Sequence, residues 1–384
     1  MRHLDIMVPQ RWLLSEAKAR IDHPEDSVFD DGILGAKRAL SALVYAADKP
    51  HTVTIKWDGS VALLFGIDEE GFTLTDKAGF ASKKLGTMPR SSDDLDSMLF
   101  MRKPNDPGRQ EYAKSIARLF KPLQKMLPHG FLGYLQADVL WLTKPPLIDG
   151  NYVFKPLKTT YKIPADSELG KKIAKSSIGI SIHSKFDSRY GSEAEPIGAL
   201  ANLHLRPVYG LVVMGPEIRD LQRTPIPDQL EASIDKMITA AAKHVNPLLD
   251  KSRLAANKIT DFADIMKRYV AKRAESGQPG LEGAAAGFEA WLQTPASQLT
   301  DKKRANMHRW IREHSAGYHA VWEIAAALLS IKEYIRHDVD KQVSRFFNTE
   351  LKGKPGHEGY VVDTPHGKYK VVNRPVFMHK DETP

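Results

Sequence analysis

T-I-K-W-D-G-S, residues Thr54 to Ser60, lies inside an apolar run that extends from Val53 to Phe65. Within it Lys56 stands between Ile55 and Trp57, at a position where a strand of a half-buried sheet ordinarily carries no charge. Asp58 and Gly59 come directly after it. A lysine tolerates such a place by packing its stem and extending its ammonium to water, or it is there because the amine does chemistry. Short motifs of this kind also arise by accident, so the partners supplied elsewhere in the chain decide between the two.

Outward from the motif the period is that of strands. Residues 53–66 and 71–75 read as a hairpin closed by the turn D-E-E-G. The next stretch, T-D-K-A-G-F-A-S-K-K-L-G, reads as a loop that carries Lys77, Lys83 and Lys84, basic residues suited to a phosphate or to open solvent. Residues 91–127 read as helix, with Ser92 or Asp93 as cap and an amphipathic stretch over 113–126. F-L-G-Y-L-Q-A-D-V-L-W-L, residues 131–142, is a strand whose single acid is Asp138. A carboxylate in that setting is costly unless paired, hydrogen-bonded or bound to a cation, so Asp138 is expected to be buried with a partner. Residues 151–155 form a further strand presenting Tyr152 and Phe154, and 177–183 (S-I-G-I-S-I-H) and 208–214 are two more.

On the other side of the motif, residues 14–21 and 32–47 are helical, a lead-in that braces the strands after it, with H-P-E-D-S breaking the helix between them. From Asp228 to about Asn348 the chain is helix-rich, with periodic stretches over 228–245, 261–275, 284–292, 300–314 and 318–347. Lys302, Lys303, Arg304, Arg309, Arg312, Lys332, Arg336, Lys341 and Arg345 gather in its later part, while Trp291, Trp310 and Trp322 fit a helical core. Strands then return. H-E-G-Y-V-V-D-T-P-H-G-K-Y-K-V-V-N is a hairpin with its turn at Thr364 to Gly367, Glu358 at its start, and Lys368 and Lys370 two apart on one face.

The chain has 384 residues, enough for two domains or one domain with a large insertion. Lys and Arg number 55 against 47 Asp and Glu, a formal charge of +8 that suits a polyanionic partner such as nucleic acid and is also compatible with a solvated basic surface. The absence of cysteine excludes disulfides, thiolate catalysis and cysteine-based metal sites. The first residues lack the apolar segment of a signal peptide, and the longest apolar run, around Ile324 to Ile331, is short for a membrane span. A soluble cytoplasmic protein with no membrane or evident protein partner is expected.

Lys56, Asp138, Glu358, Lys368 and Lys370 thus place charge at strand positions, in that order. The set suits covalent nucleotidyl transfer. A neutral lysine amine attacks the α-phosphorus of a nucleoside triphosphate and expels pyrophosphate. Since a free lysine has a pKa of about 10.4, nearby cations and partial desolvation must favour the neutral form, and Lys368 and Lys370 supply cations that also neutralise the phosphate. Glu358 and Asp138 suit magnesium or manganese held through few carboxylates and several waters. An aromatic such as Phe154 suits the base.

K-W-D-G resembles motif I of the covalent nucleotidyltransferase superfamily, which contains ATP-dependent DNA ligases, RNA ligases and mRNA capping enzymes. The resemblance makes Lys56 the nucleotidylated lysine, with Ile55, Trp57, Asp58 and Gly59 around it at the nucleotide. Y-L-Q-A-D-V-L-W looks like motif III, with Asp138 where most members have Glu, a ribose or metal-shell contact. N-Y-V-F-K is similar to motif IIIa, which implies base stacking by Phe154, or by Tyr152. H-E-G-Y-V-V resembles motif IV and makes Glu358 the metal-associated acid; K-Y-K-V-V resembles motif V and makes Lys368 and Lys370 phosphate contacts. Lys77 stands where members often have Arg after the motif I hairpin. The resemblance covers residues 51–215 and 350–377. K-W-D-G-S, F-K-P and I-G-I-S-I-H also resemble tailed-phage proteins of ligase type, which implies a phage protein acting in a bacterial host cytoplasm.

The expected fold is therefore α+β. An antiparallel-sheet nucleotidyltransferase (ligase adenylation) domain is divided into residues 51–215 and 350–384. A helical lead-in (1–50) precedes it, and a large helical insertion (216–349) has basic later helices that grip the nucleic-acid backbone. Only about a dozen residues lie beyond motif V, which leaves no room for an oligonucleotide-binding barrel and points to the RNA-ligase branch. The expected activity is an ATP-dependent RNA (polynucleotide) ligase that joins 5′-phosphate and 3′-hydroxyl ends through a lysyl-AMP on Lys56. The alternatives are a DNA ligase acting on nicks without that barrel, a capping guanylyltransferase, and a non-catalytic nucleic-acid-binding relative.

Overall fold

The first described helix, α1 (Ser27–Asp48), turns Ala36, Ala39, Leu40, Leu43 and Ala47 inward at helical spacing. It kinks at Asp31 and Gly32, where Gly32 takes a φ of 57° that favours glycine. After it comes the short strand β1 (Val53–Ile55). The structure, a computed structural model, describes residues 21–375 apart from Leu85, Gly191, Glu193, Arg219, Pro279, Lys352 and Glu358. The expected helix over 14–21 lies, except for Ile21, outside the described residues. Helices and strands divide between two units, one built from residues 55–218 and 344–357, the other from 21–54, 219–343 and the described residues after 358. The architecture is mixed α and largely antiparallel β, as the α+β reading predicts.

The first unit holds β2 (Ala62–Asp68), β3 (Gly71–Asp76), β4 (Gly133–Trp141), β5 (Leu147–Ile148), β6 (Asn151–Phe154), β7 (Thr159–Pro164), β8 (Ser176–Phe186), β9 (Glu195–Pro196), β10 (Gly210–Met214), β11 (Asn348–Leu351) and β12 (Lys354–Pro355). One six-stranded sheet runs β10-β8-β4-β2-β3 with β9 beside β8; a five-stranded sheet runs β12-β11-β7-β6-β5. Among the described residues of these sheets, only β10 with β8 pairs in parallel. The unit's helices are α2 (Lys77–Ala81), α3 (Ser92–Met101), α4 (Arg109–Ala117), α5 (Phe120–Met126) and α6 (Glu168–Ala174). Alternation along the larger sheet sends Leu63, Phe65, Leu135, Ala137, Val139, Ile180 and Ile182 to one face, where they pack on Leu95, Leu99, Ile116, Leu119 and Leu123 from the helices. The other face carries Leu64 and Tyr134 with Phe80 of α2, and also the polar Gln136, Asp138 and Ser181.

Three local expectations change. The single strand expected over 53–66 is broken, because β1 ends at Ile55 and β2 begins at Ala62, so Lys56 lies one residue past a strand. The loop expected after β3 closes into α2 at Lys77, capped by Asp76, whose carboxylate accepts the Gly79 N–H at 2.8 Å. Ser91, one residue before the expected caps, caps α3.

The second unit packs α1 with α7 (Asp228–Leu248), α8 (Lys251–Ala256), α9 (Phe262–Glu275), α10 (Ala284–Leu292), α11 (Asp301–Glu313) and α12 (Ser315–Val343). The long α12 buries Tyr318, Val321, Ile324, Ala325, Leu328, Ile331, Ile335 and Val339 along one stripe. Gly317 lets it approach α7, since a Cβ there would stand 2.2 Å from the His244 carbonyl oxygen. Gly317→Ala is therefore expected to lower the stability of this unit by about 1–3 kcal/mol in urea unfolding.

The hairpin of β13 (Gly359–Thr364) and β14 (Gly367–Val372) turns where the sequence places it, and Val53 and Thr54 of β1 lie on its open side in a three-stranded sheet. The hairpin belongs to the second unit. The Tyr360 hydroxyl donates to Asp340 of α12 at 2.7 Å, and Arg374, just beyond β14, reaches Glu25 and Asp26 ahead of α1. The basic grip expected of the later helices is also reduced. Lys332 and Arg336 are buried, Lys332 against Glu25 at 2.8 Å and Arg336 between Glu333 and Asp340, while Lys303 and Arg304 are held by Asp261 and Asp301. The tryptophans Trp310 and Trp322 belong to the core, at 4% and 3% exposure.

Candidate functional site

The break after β1 has a physical cause in W-D-G. The Trp57 ring is buried, stacked on Phe347 at 5.2 Å and tilted against Tyr161 at 5.1 Å, and its Nε1–H donates to the Gly215 carbonyl at 3.0 Å. Asp58 is also buried. Its Oδ2 accepts the backbone N–H groups of Lys158 at 2.7 Å and Thr159 at 2.8 Å, and its own N–H donates to the Tyr161 hydroxyl at 2.7 Å. Gly59 passes so close to β4 that a Cβ would stand 2.2 Å from the Asp138 Cβ. Ser60 then rejoins the sheet by donating its N–H to Val139 at 3.0 Å. Upstream, the Ile55 N–H donates to the Pro216 carbonyl at 2.7 Å. Lys56 is thus fixed on both sides by buried neighbours while its own side chain is half-buried.

Asp138 lies in one row across the sheet with Ala62 of β2 and Ser181 of β8. The carboxylate is 23% exposed rather than fully buried, and its Oδ2 stands 3.6 Å from His183 Nε2. His183 sits at a register shift between β4 and β8, and its Nδ1 is 2.9 Å from the Ser184 hydroxyl. Sequence alone does not single His183 out, although its spacing of two from Ser181 is the available signal. Lys77 is exposed at the same end of the sheet, since Leu63 pairs Asp76 where the adjoining Ala62 pairs Asp138.

The two candidate base-stacking aromatics are core residues. Phe154 is 6% exposed, stacked on Tyr161 at 5.1 Å with Trp141 against it at 4.7 Å, so its faces are occupied by this chain. Tyr152 is buried two residues earlier on the same side of β6, with the Lys144 ammonium 5.8 Å from its ring centre. Both sit at inward positions of a strand whose period the sequence shows, and inward here means into an aromatic cluster.

In the second unit Lys368 and Lys370 share one face of β14. Lys368 is paired across the hairpin with Asp363, Nζ to Oδ2 3.4 Å. Lys370 stands opposite Val361, whose carbonyl accepts the Thr54 hydroxyl at 3.0 Å, and its N–H donates to the Asp22 carbonyl at 2.9 Å. Glu358 lies outside the described residues. The structure therefore gathers Lys56, Asp58, Gly59 and Asp138 in the first unit, and the two hairpin lysines in the second.

A family profile described as a family of unknown function, DUF6267, matches residues 19–381. The chain belongs to that family. The match takes in both units and every site residue named above. No curated protein and no solved structure matches the chain. Among the described residues of this DUF6267 chain, no helix is long and apolar enough to cross a membrane.

The chemistry open to the DUF6267 loop is set by its donors. Among the described residues, no group of three or more His, Asp or Glu side chains could hold a metal ion. The partly open Asp138 carboxylate fits a hydrated magnesium ion that arrives with a polyphosphate and keeps most of its waters.

Proposed function

We propose that this protein is an ATP-dependent polynucleotide ligase of nucleotidyltransferase fold, acting on RNA ends through lysyl-AMP on Lys56. The observation that carries the reading is the anchoring of K-W-D-G. Buried groups on both sides of Lys56 fix its backbone, while its side chain is half-buried. A nucleophile that must reach one phosphorus atom gains rate from such fixation.

In this reading the neutral Lys56 Nζ attacks the α-phosphorus of ATP. A P–N bond forms, the bond to pyrophosphate breaks, and the displaced proton leaves to solvent. A 5′-phosphate oxygen of the polynucleotide then takes the AMP and frees Lys56, and a 3′-hydroxyl displaces AMP to form the phosphodiester. Trp57 and Asp58 hold the loop and are removed from direct nucleotide contact by their burial. Asp138 contacts the ribose or the waters of a magnesium ion, which supplies charge neutralisation at the phosphates. Lys77, Lys368 and Lys370 are the phosphate contacts that the resemblance implies, and Glu358 the second acid.

Two observations favour a second reading, a nucleic-acid-binding relative without catalysis: Phe154 is sealed in the core, and Asp363 engages Lys368. Incubation with magnesium and ATP labelled at the α-phosphate, with denaturation afterwards, separates the readings. Acid-labile label on the protein that is absent in Lys56→Ala is the expected result. Label from GTP alone indicates capping chemistry, and no label from either nucleotide sinks the enzyme. Joining of 5′-phosphorylated RNA compared with nicked DNA then sets the substrate.

A further inference from the structure

β10 is an edge strand of the six-stranded sheet, and the segment 200–209 folds back beside it. Together with the end of α6 they enclose a groove of about 570 Å³, away from the K-W-D-G loop and lined wholly by first-unit residues. Met126, Leu200, Leu205 and Leu211 give it an apolar lining. Lys172, Lys175, His204 and Arg206 stand around it, all exposed, and no acidic residue lines it. Their neighbour Lys171 is held by Glu168 at 2.9 Å, whereas none of these four makes an ion pair with a described residue. Tyr209 lines the groove at 97% exposure, the most open large hydrophobic residue of the described chain.

An aromatic ring left wholly in water covers nothing of its own protein, and a site with several cations and no acid attracts a polyanion. Cations that track a backbone beside an aromatic on which a base stacks are the features that hold single-stranded nucleic acid. A duplex keeps its bases stacked on one another and would leave Tyr209 and the apolar lining unused. We propose that this groove binds a single-stranded stretch of nucleic acid, its phosphates on Lys172, Lys175, His204 and Arg206 and a base on Tyr209. The proposal draws on the polynucleotide substrate inferred above and adds a binding subsite to it.

Fluorescence anisotropy with a labelled single-stranded oligoribonucleotide of about 12 nucleotides tests this on the full chain. Tyr209→Ala should weaken binding about tenfold with an unchanged salt dependence. The combined Lys172→Ala, Lys175→Ala and Arg206→Ala variant should flatten the slope of log affinity against log salt by about 2. All four side chains are exposed, so thermal melting should match the parent and exclude misfolding. Parent-like affinity in both variants overturns the groove, as does equal competition by a hairpin duplex or by polyglutamate. Self-labelling with ATP is measured on the same proteins. A parent that binds through the groove but never labels refutes nucleotidyl transfer alone, and variants that label and bind like the parent refute the groove alone.

Discussion

Arg374→Met should destabilise the second unit by about 3–5 kcal/mol in chemical unfolding, the usual effect of removing one partner from a buried ion pair. The Arg374 guanidinium donates to Glu25 Oε1 at 3.2 Å and Asp26 Oδ1 at 2.9 Å, while Lys332 Nζ donates to the same Glu25 oxygen at 2.8 Å. The four residues are 0–9% exposed, so the variant strands Asp26 in the interior without the guanidinium that pairs with it. Adding Asp26→Asn should recover a good part of the loss, because it removes the charge that the variant strands and leaves the Lys332–Glu25 pair in place. Little effect of Arg374→Met would mean that water reaches the cluster.

The same cluster sets an acid response whose sign can be worked out. Burial would raise the Glu25 carboxyl, but Lys332 and Arg374 together outweigh it and hold it at about 2 against an ordinary 4.5. That contribution is complete above the ordinary value and is lost as pH falls through 4.5 toward 2. His23 is pushed well below its ordinary 6.5 by burial and by Arg374, so the unfolded chain takes up that proton first and stability already declines as pH drops below 6.5. Asp26 runs the other way. Burial raises it over the opposition of Arg374, a contribution that fades as pH rises. Since Arg374→Met leaves Asp26 without its cation, the deficit of the variant should widen from acid to neutral pH, which urea melts across that range read directly.

The second large effect is expected at Asp58. Asp58→Ala removes the acceptor of two buried backbone N–H groups, those of Lys158 and Thr159. At about 1–3 kcal/mol for each orphaned group, the first unit should lose about 2–6 kcal/mol. If Lys56 is the nucleophile, labelling at saturating ATP should also fall by about a hundredfold, the penalty of misplacing a reacting group by an ångström. Asp58→Asn keeps one acceptor oxygen and should lie between the parent and the alanine variant on both scales. A stable Asp58→Ala protein that labels at the parent rate would remove the anchoring argument.

Legibility from sequence tracks how local the cause of each feature is. β4, the β13–β14 hairpin with its turn at Thr364 to Gly367, and the helices α7 and α9 to α12 are readable, because alternation or helical period over their own residues sets them. The break at Lys56 is not, since the groups that hold Asp58 come 100 and 101 residues later. Thr159–Pro164 and Asn348–Leu351 leave little trace in the sequence, being short, half-polar strands that gain their partners only in the folded sheet. H-P-E-D-S reads as a helix breaker, yet it supplies two of the most buried acids, whose partners Lys332 and Arg374 are far along the chain. Phe154 shows the limit of carrying a role over by motif. The alternation places it on one face of β6 with Tyr152, and only the packing of Trp141 and Tyr161 shows that this face is closed.

The division of each unit among separated stretches of chain also constrains how the protein is made. Glu25 and Arg374 are 349 residues apart, and Thr54 of β1 meets Val361 after 307. A ribosome exposes α1 and β1 long before their partners exist, so the second unit cannot close until the β13–β14 hairpin has emerged. The first unit waits as well, because Phe347 must arrive before Trp57 is covered. Early segments must therefore persist with unsatisfied apolar and charged surface during synthesis, the condition under which nascent chains engage chaperones or aggregate. Neither unit can be produced by cutting the gene at a single point.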